Sequence, residues 1–134
     1  MACWVGMARS NYFCVKDEAA FRSWAENLDL VVFTNDRGRF GFYSNTDDGG
    51  FPTERITEGG EEELDLVCEL GMHLADGEIA VLMEVGHEKA RYVSGFAVAL
   101  NNAGKRVEFS LSDIYQKAAE TFHVNVNSVP EATY

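Results

Sequence analysis

Two stretches decide the reading of the fold: Ile79-Ala80-Val81-Leu82-Met83-Glu84-Val85 and Tyr92-Val93-Ser94-Gly95-Phe96-Ala97-Val98-Ala99-Leu100. Both are rich in β-branched and aromatic residues, and the polar segment Gly86-His87-Glu88-Lys89-Ala90-Arg91 lies between them. Two such runs around a polar segment predict a β-hairpin with its turn at 86–91. The second run also sorts by size, with Tyr92, Phe96, Val98 and Leu100 alternating against Val93, Gly95, Ala97 and Ala99. Successive strand side chains point to opposite faces. The small set therefore predicts a face that a helix can approach closely, the large set filling the space opposite or packing at the margin.

Outward from this hairpin, strands are predicted at 11–15 (extending back toward Trp4), 28–34, 39–44 and 106–109. Asn35-Asp36-Arg37-Gly38 makes a good hairpin turn between the second and third of these. Helices are predicted at 17–27, 61–75 and 111–123 by their apolar spacing. Asp17 caps the first, and Phe21, Trp24, Ala25 and Leu28 form its stripe. The second carries Leu64, Val67, Cys68, Gly71 and Ala75, widened by Leu66, Leu70 and Leu74, and stops at Asp76-Gly77. The third opens on a Ser110/Asp113 capping pattern and carries Leu111, Ile114, Tyr115, Ala118, Ala119 and Phe122. Residues 45–60 read as one long loop. The order is βαββαβββα, an α+β fold with a mostly antiparallel sheet and helices on one face. Its first six elements match the split-βαβ, ferredoxin-like pattern, with a hairpin and a helix added.

The 134 residues suit a single domain spanning 1–134, and a hydrophobic content of 46% with two prolines supports a folded core. Cys3, Cys14 and Cys68 are odd in number and widely spaced, which suggests neither a disulfide framework nor a zinc site, and free thiols suit a reducing cytoplasm. The N-terminus has no signal-peptide pattern, and no apolar run is long enough to cross a bilayer.

Charge is the outstanding feature. The net charge is −11, and residues 45–88 hold thirteen of the acids with Arg55 as their one base, so that third carries −12 and the remainder +1. Such a segment repels phosphates, which argues against a direct nucleic-acid ligand or an anionic membrane. Its plain reading is a solvated face that keeps the protein in solution. Its sharper reading is a surface for a basic protein partner, centred on Asp47, Asp48, Glu58, Glu61, Glu62, Glu63 and Asp65. With Glu61, Glu62, Glu63 and Asp65 at a helix start and Asp47 and Asp48 in the loop before it, one dense patch is expected if the loop folds back.

The residues offer little for catalysis. His87-Glu88 begins like the zinc-peptidase pattern, but Arg91 stands where the second histidine belongs, and the surroundings are strand-like. No metal or cofactor is implied. A small-enzyme or ligand-binding alternative would place its site at His87, Glu88 and Arg91, where neither a nucleophile nor an oxyanion donor is evident. His73 reads as a helix-flank residue and His123 as a helix C-terminal one. Cys14 and Cys68 read as buried small hydrophobes.

Ala8-Arg9-Ser10-Asn11-Tyr12-Phe13 and Gly86-His87-Glu88-Lys89-Ala90-Arg91-Tyr92-Val93-Ser94-Gly95-Phe96-Ala97 resemble a family of small acidic proteins of bacterial plasmids, integrative elements and phages. The resemblance implies an accessory protein of a mobile element and brings no catalytic residues with it. Small acidic proteins of such elements include anti-CRISPR and anti-restriction inhibitors of defence nucleases, some of which imitate DNA, so the analogy implies a basic nuclease complex as partner. An oligomer-forming role is the third expectation.

Overall fold

The computed structural model describes residues 4–88 and 92–132. Its longest elements are the two strands on which the sequence reading turned. Strand β6 (Ile79–Glu88) pairs antiparallel with β7 (Tyr92–Asn101), from Ile79 opposite Asn101 to Glu88 opposite Tyr92. The strand thus continues through Gly86, His87 and Glu88, into the turn predicted at 86–91. Lys89, Ala90 and Arg91 lie outside the described residues.

On the other side of β6 runs β1 (Trp4–Ser10), paired from Trp4–Glu88 to Ser10–Leu82. The main pairing falls earlier than the predicted strand at 11–15, which contributes only single bridges, Phe13–Phe40 and Val15–Leu74. The cause is Asn11. Its amide still donates to the Val81 carbonyl at 3.0 Å, but the Val81 amide donates back to its side-chain oxygen at 2.8 Å. Its side-chain nitrogen donates to the Ile79 carbonyl at 3.2 Å, so a side chain takes over the next rungs of the ladder.

Helix α1 (Glu18–Glu26) is capped by Asp17, which accepts from the Ala20 amide at 3.1 Å. Strands β2 (Leu30–Thr34) and β3 (Phe40–Ser44) form the expected hairpin. Its turn is held by Asn35, whose side-chain oxygen accepts from the Arg37 and Arg39 amides. Strand β8 (Arg106–Ser110) completes the sheet in the order β2-β3-β1-β6-β7-β8, antiparallel throughout. Its first four strands have the arrangement of a split βαβ unit.

The element order departs from the prediction in the middle. A separate hairpin, β4 (Glu54–Thr57) and β5 (Gly60–Glu63), occupies part of the predicted loop and the predicted start of the second helix. Helix α2 spans only Leu66–His73, because Asp65 caps it by accepting from the Cys68 amide at 3.1 Å. Leu64 instead extends the hairpin, its amide donating to the Thr53 carbonyl at 2.9 Å. Helix α3 (Asp113–Phe122) follows β8. Half of the predicted capping exchange forms there, the Ser110 amide donating to Asp113 at 2.8 Å. A 3₁₀ turn, Val126–Ser128, comes last.

Helices α1 and α2 cover one face of the sheet. Phe42 lies fully buried among Phe13, Phe21, Trp24 and Phe51, with Leu70, Leu74, Leu82 and Val98 completing the core. The size alternation on β7 acts opposite to the prediction. The large residues Val98 and Leu100 face these helices, and the close approach is made by a small residue on the helix, Gly71. A Cβ on Gly71 would stand 3.3 Å from the Asn101 carbonyl oxygen. Val93, Gly95, Ala97 and Ala99 line the far face, which α1 and α2 leave bare. Among the described residues no helix is long and apolar enough to cross a membrane.

Candidate acidic interface

The β4–β5 hairpin is built from Glu54-Arg55-Ile56-Thr57 and Gly60-Glu61-Glu62-Glu63. Gly60 takes φ +121°, a value natural to glycine, and Thr57 donates from its hydroxyl to the Gly60 carbonyl at 3.0 Å. Glu54 lies opposite Glu63, Arg55 opposite Glu62, and Ile56 opposite Glu61. Alternation then sorts the side chains: Glu54, Ile56, Glu61 and Glu63 share one face, while Arg55 and Glu62 share the other.

The first of these faces is unusual. Like charges directly opposite one another destabilise a strand pair, and Glu54 and Glu63 are so placed. The pKa of Glu54 is raised from its ordinary 4.5, chiefly by a hydrogen bond shared with Glu61, with repulsion between the two acting in the same direction. Ile56, 87% exposed, shares this face, with Glu54 beside it on β4 and Glu61 directly opposite on β5. The second face is the anchor, where Arg55 donates to Glu69 of α2.

The structure divides the acidic residues expected in one patch. Glu61, Glu62 and Glu63 sit in strand β5, not at a helix start, and Glu58 is exposed in the turn between β4 and β5. Asp65 is engaged as the α2 cap and stands 3.8 Å from Arg106. Asp48 organises its own loop: its carboxylate accepts from the Gly50 amide at 2.9 Å and the Thr46 hydroxyl at 3.1 Å, and its carbonyl accepts from the Gly6 amide at 2.8 Å. Asp47 is exposed beside it. Among the described residues no hydrogen bond or ion pair joins Asp47 or Asp48 to the hairpin, so the expected fold-back is replaced by attachment of that loop to β1. Glu54 and Ile56 were missed. The signal was there in Glu58-Gly59-Gly60, a glycine turn between Ile56-Thr57 and a second short run, but three consecutive glutamates suggested a helix start instead.

Of the alternative site, His87 and Glu88 fall within the described residues. His87 and Glu88 are neighbours on β6 and project to opposite faces of the sheet, and Arg91 lies outside the described residues. Cys68 is exposed, not buried, because the core stripe of α2 runs through Leu66 and Leu70 to Leu74 beyond its end. Cys14 is half-buried. His73 packs against Trp24, ring centroids 5.0 Å apart, and burial pushes its pKa below 6.5 against the pull of Glu69 and Asp17. Among the described residues no group of three or more His, Cys, Asp or Glu side chains is placed to hold a metal ion. A cleft of about 530 Å³ opens between α3 and the end of β7, with Val93, Gly95, Phe109, Leu111 and Ile114 in its lining. No protein-family model, curated protein or solved structure matches this chain.

Proposed function

We propose that the protein acts by binding, and that the β4–β5 hairpin is its contact with a basic protein surface. The observation that carries this reading is the face that Glu54, Glu61 and Glu63 share with the exposed Ile56. That face opposes strand pairing, and it contributes nothing to the core. A cationic partner offsets the repulsion, and the exposed isoleucine adds an apolar contact at the edge of the charged cluster. The partner's chemistry follows: a lysine- or arginine-rich surface, of the kind that nucleic-acid-binding proteins present to phosphates. A defence nuclease of a bacterial host is the partner in keeping with the mobile-element resemblance.

The test is retention of proteins from nuclease-treated bacterial lysate on immobilised protein, wild type against the E54Q/E61Q/E63Q variant, with circular dichroism as folding control. The reading expects a basic protein retained at low salt, released by added duplex DNA, and lost with the variant. Electrostatic contacts weaken as the screening length falls toward about 8 Å at physiological ionic strength. Equal retention by both proteins, indifferent to salt and DNA, overturns it and leaves the acids as a solubility device.

A further inference from the structure

The two faces of the six-stranded sheet differ in what covers them. Opposite the helices, the pairing register sets Val5 and Met7 of β1, Met83 and Val85 of β6, and Val107 and Phe109 of β8 on one continuous surface. Each is more than half exposed, from Val85 at 52% to Val107 at 70%. Between them Gly95, Ala97 and Ala99 of β7 form a shallow floor. A solvated face of an antiparallel sheet ordinarily carries the polar half of the alternation. Here apolar residues line both faces, one buried under the helices and the other open.

Charge separates this face from the rest of the molecule. The chain has twenty-two carboxylates, yet none of the described strand residues that the register assigns to this face is Asp or Glu. Glu84, Glu88 and Glu108 all fall on the opposite side. The ionisable side chains here are Arg9, whose guanidinium lies 5.1 Å from the centre of the Phe33 ring, together with His87 and Tyr43. The surface is also continuous, through the cleft beside Val93 and Phe109, with the stripe of α3. That helix touches chiefly the 3₁₀ turn after it, leaving Ile114 59% and Phe122 69% exposed.

We propose that this face is the subunit interface of a homodimer, with the two sheets opposed and α3 of each copy closing the margin of the other. Three observations select a second copy as the occupant. Two molecules of net charge −11 repel least where neither brings a carboxylate, and the described strand residues of this face meet that condition. Asp113 at the α3 margin is engaged by the Ser110 amide and accompanied by Lys117. The same chain carries both a ridge, Ile114 and Phe122, and a floor of small residues, which a two-fold pair uses twice. The eight exposed side chains named above, each more than half exposed, form a contiguous apolar patch of the kind that one partner brings to a stable interface. Opposed sheets pack about 10 Å apart, the spacing that interdigitated Met, Val and Phe side chains fill. The proposal is independent of the hairpin reading, because β4 and β5 belong to a separate sheet.

Sedimentation equilibrium of the full chain over a micromolar concentration series tests it. The expected result is a species of twice the chain mass for the wild type, and of the single chain mass for Met83→Glu and for Val107→Glu, each with an unchanged circular dichroism spectrum. Both sites are already exposed in one chain, so a glutamate there reaches water unless a second copy covers it. Glu61→Lys on the hairpin serves as control and stays at twice the chain mass. A wild type that remains at the single chain mass throughout the series overturns the proposal, as does a folded Met83→Glu or Val107→Glu that keeps the doubled mass.

Discussion

Arg55 on the β4–β5 hairpin donates to Glu69 on α2, and the other oxygen of that carboxylate accepts from Trp24 of α1 at 2.9 Å. One side chain therefore ties the projecting hairpin to both helices of the core layer. The hairpin needs this tie, since an isolated two-stranded unit is marginal in water.

Glu69→Ala should cost about 1–3 kcal/mol, because it leaves the Trp24 and Arg55 donors without their acceptor in a partly buried place. Urea midpoints measure the loss. Amide exchange should quicken most in residues 54–63, since the hairpin loses its anchor while the sheet keeps its own ladder. Uniform quickening across the molecule would contradict the role assigned to Glu69.

Stability should fall in acid in two stages. Burial lowers the pKa of His73 from 6.5, so the unfolded chain takes up this proton first and the folded state loses ground once pH drops below that value. Glu78 lies below its ordinary 4.5, chiefly because it accepts from the Cys14 amide at 2.7 Å, with Arg39 at 3.0 Å assisting. For Glu69, burial works toward a higher pKa, but the hydrogen bonds from Arg55 and Trp24 outweigh it and the net direction is also down. The stability from both carboxylates is present above 4.5 and is lost as pH falls through their lower folded values. Urea midpoints through a pH series should show both stages, with His73→Gln flattening the upper one and Glu78→Gln the lower. A midpoint unchanged from about pH 7 to about pH 3 would contradict these assignments.

Gly49→Ala should destabilise the protein by about 2 kcal/mol or more. Gly49 takes φ +86°, and a Cβ there would fall 1.9 Å from the Gly6 carbonyl oxygen, where the loop 46–50 lies against β1. Gly59→Ala is the matched control, its nearest neighbour being the Thr57 hydroxyl oxygen at 4.0 Å, and should lie within about 0.5 kcal/mol of wild type. Thermal unfolding of the two variants side by side decides the matter.

Much of the scaffold could be read locally. The β6–β7 pair, the β2–β3 hairpin with its Asn35 turn and the Asp17 cap of α1 each rest on contacts among residues close in the chain. Periodicity and turn chemistry report such contacts directly. The acidic tract was legible as charge, but not as shape. Whether Glu61-Glu62-Glu63 opens a helix or forms a strand depends on Arg55 reaching Glu69 and on Asp65 taking the cap, and consecutive glutamates fit either outcome.

By itself the sequence determined an α+β chain with a −12 middle third and two long strands, because alternation, turn residues and charge are local properties. Only the tertiary structure decided which side of those strands the helices cover. The small residues of β7 predicted a helix against them, yet Val98 and Leu100 pack on the helices while Gly95, Ala97 and Ala99 face outward. Strand alternation specifies two faces without saying which is inside. That choice belongs to the helices, through the glycine at position 71 and the leucines at 66, 70 and 74 that bring α2 against the large-residue side.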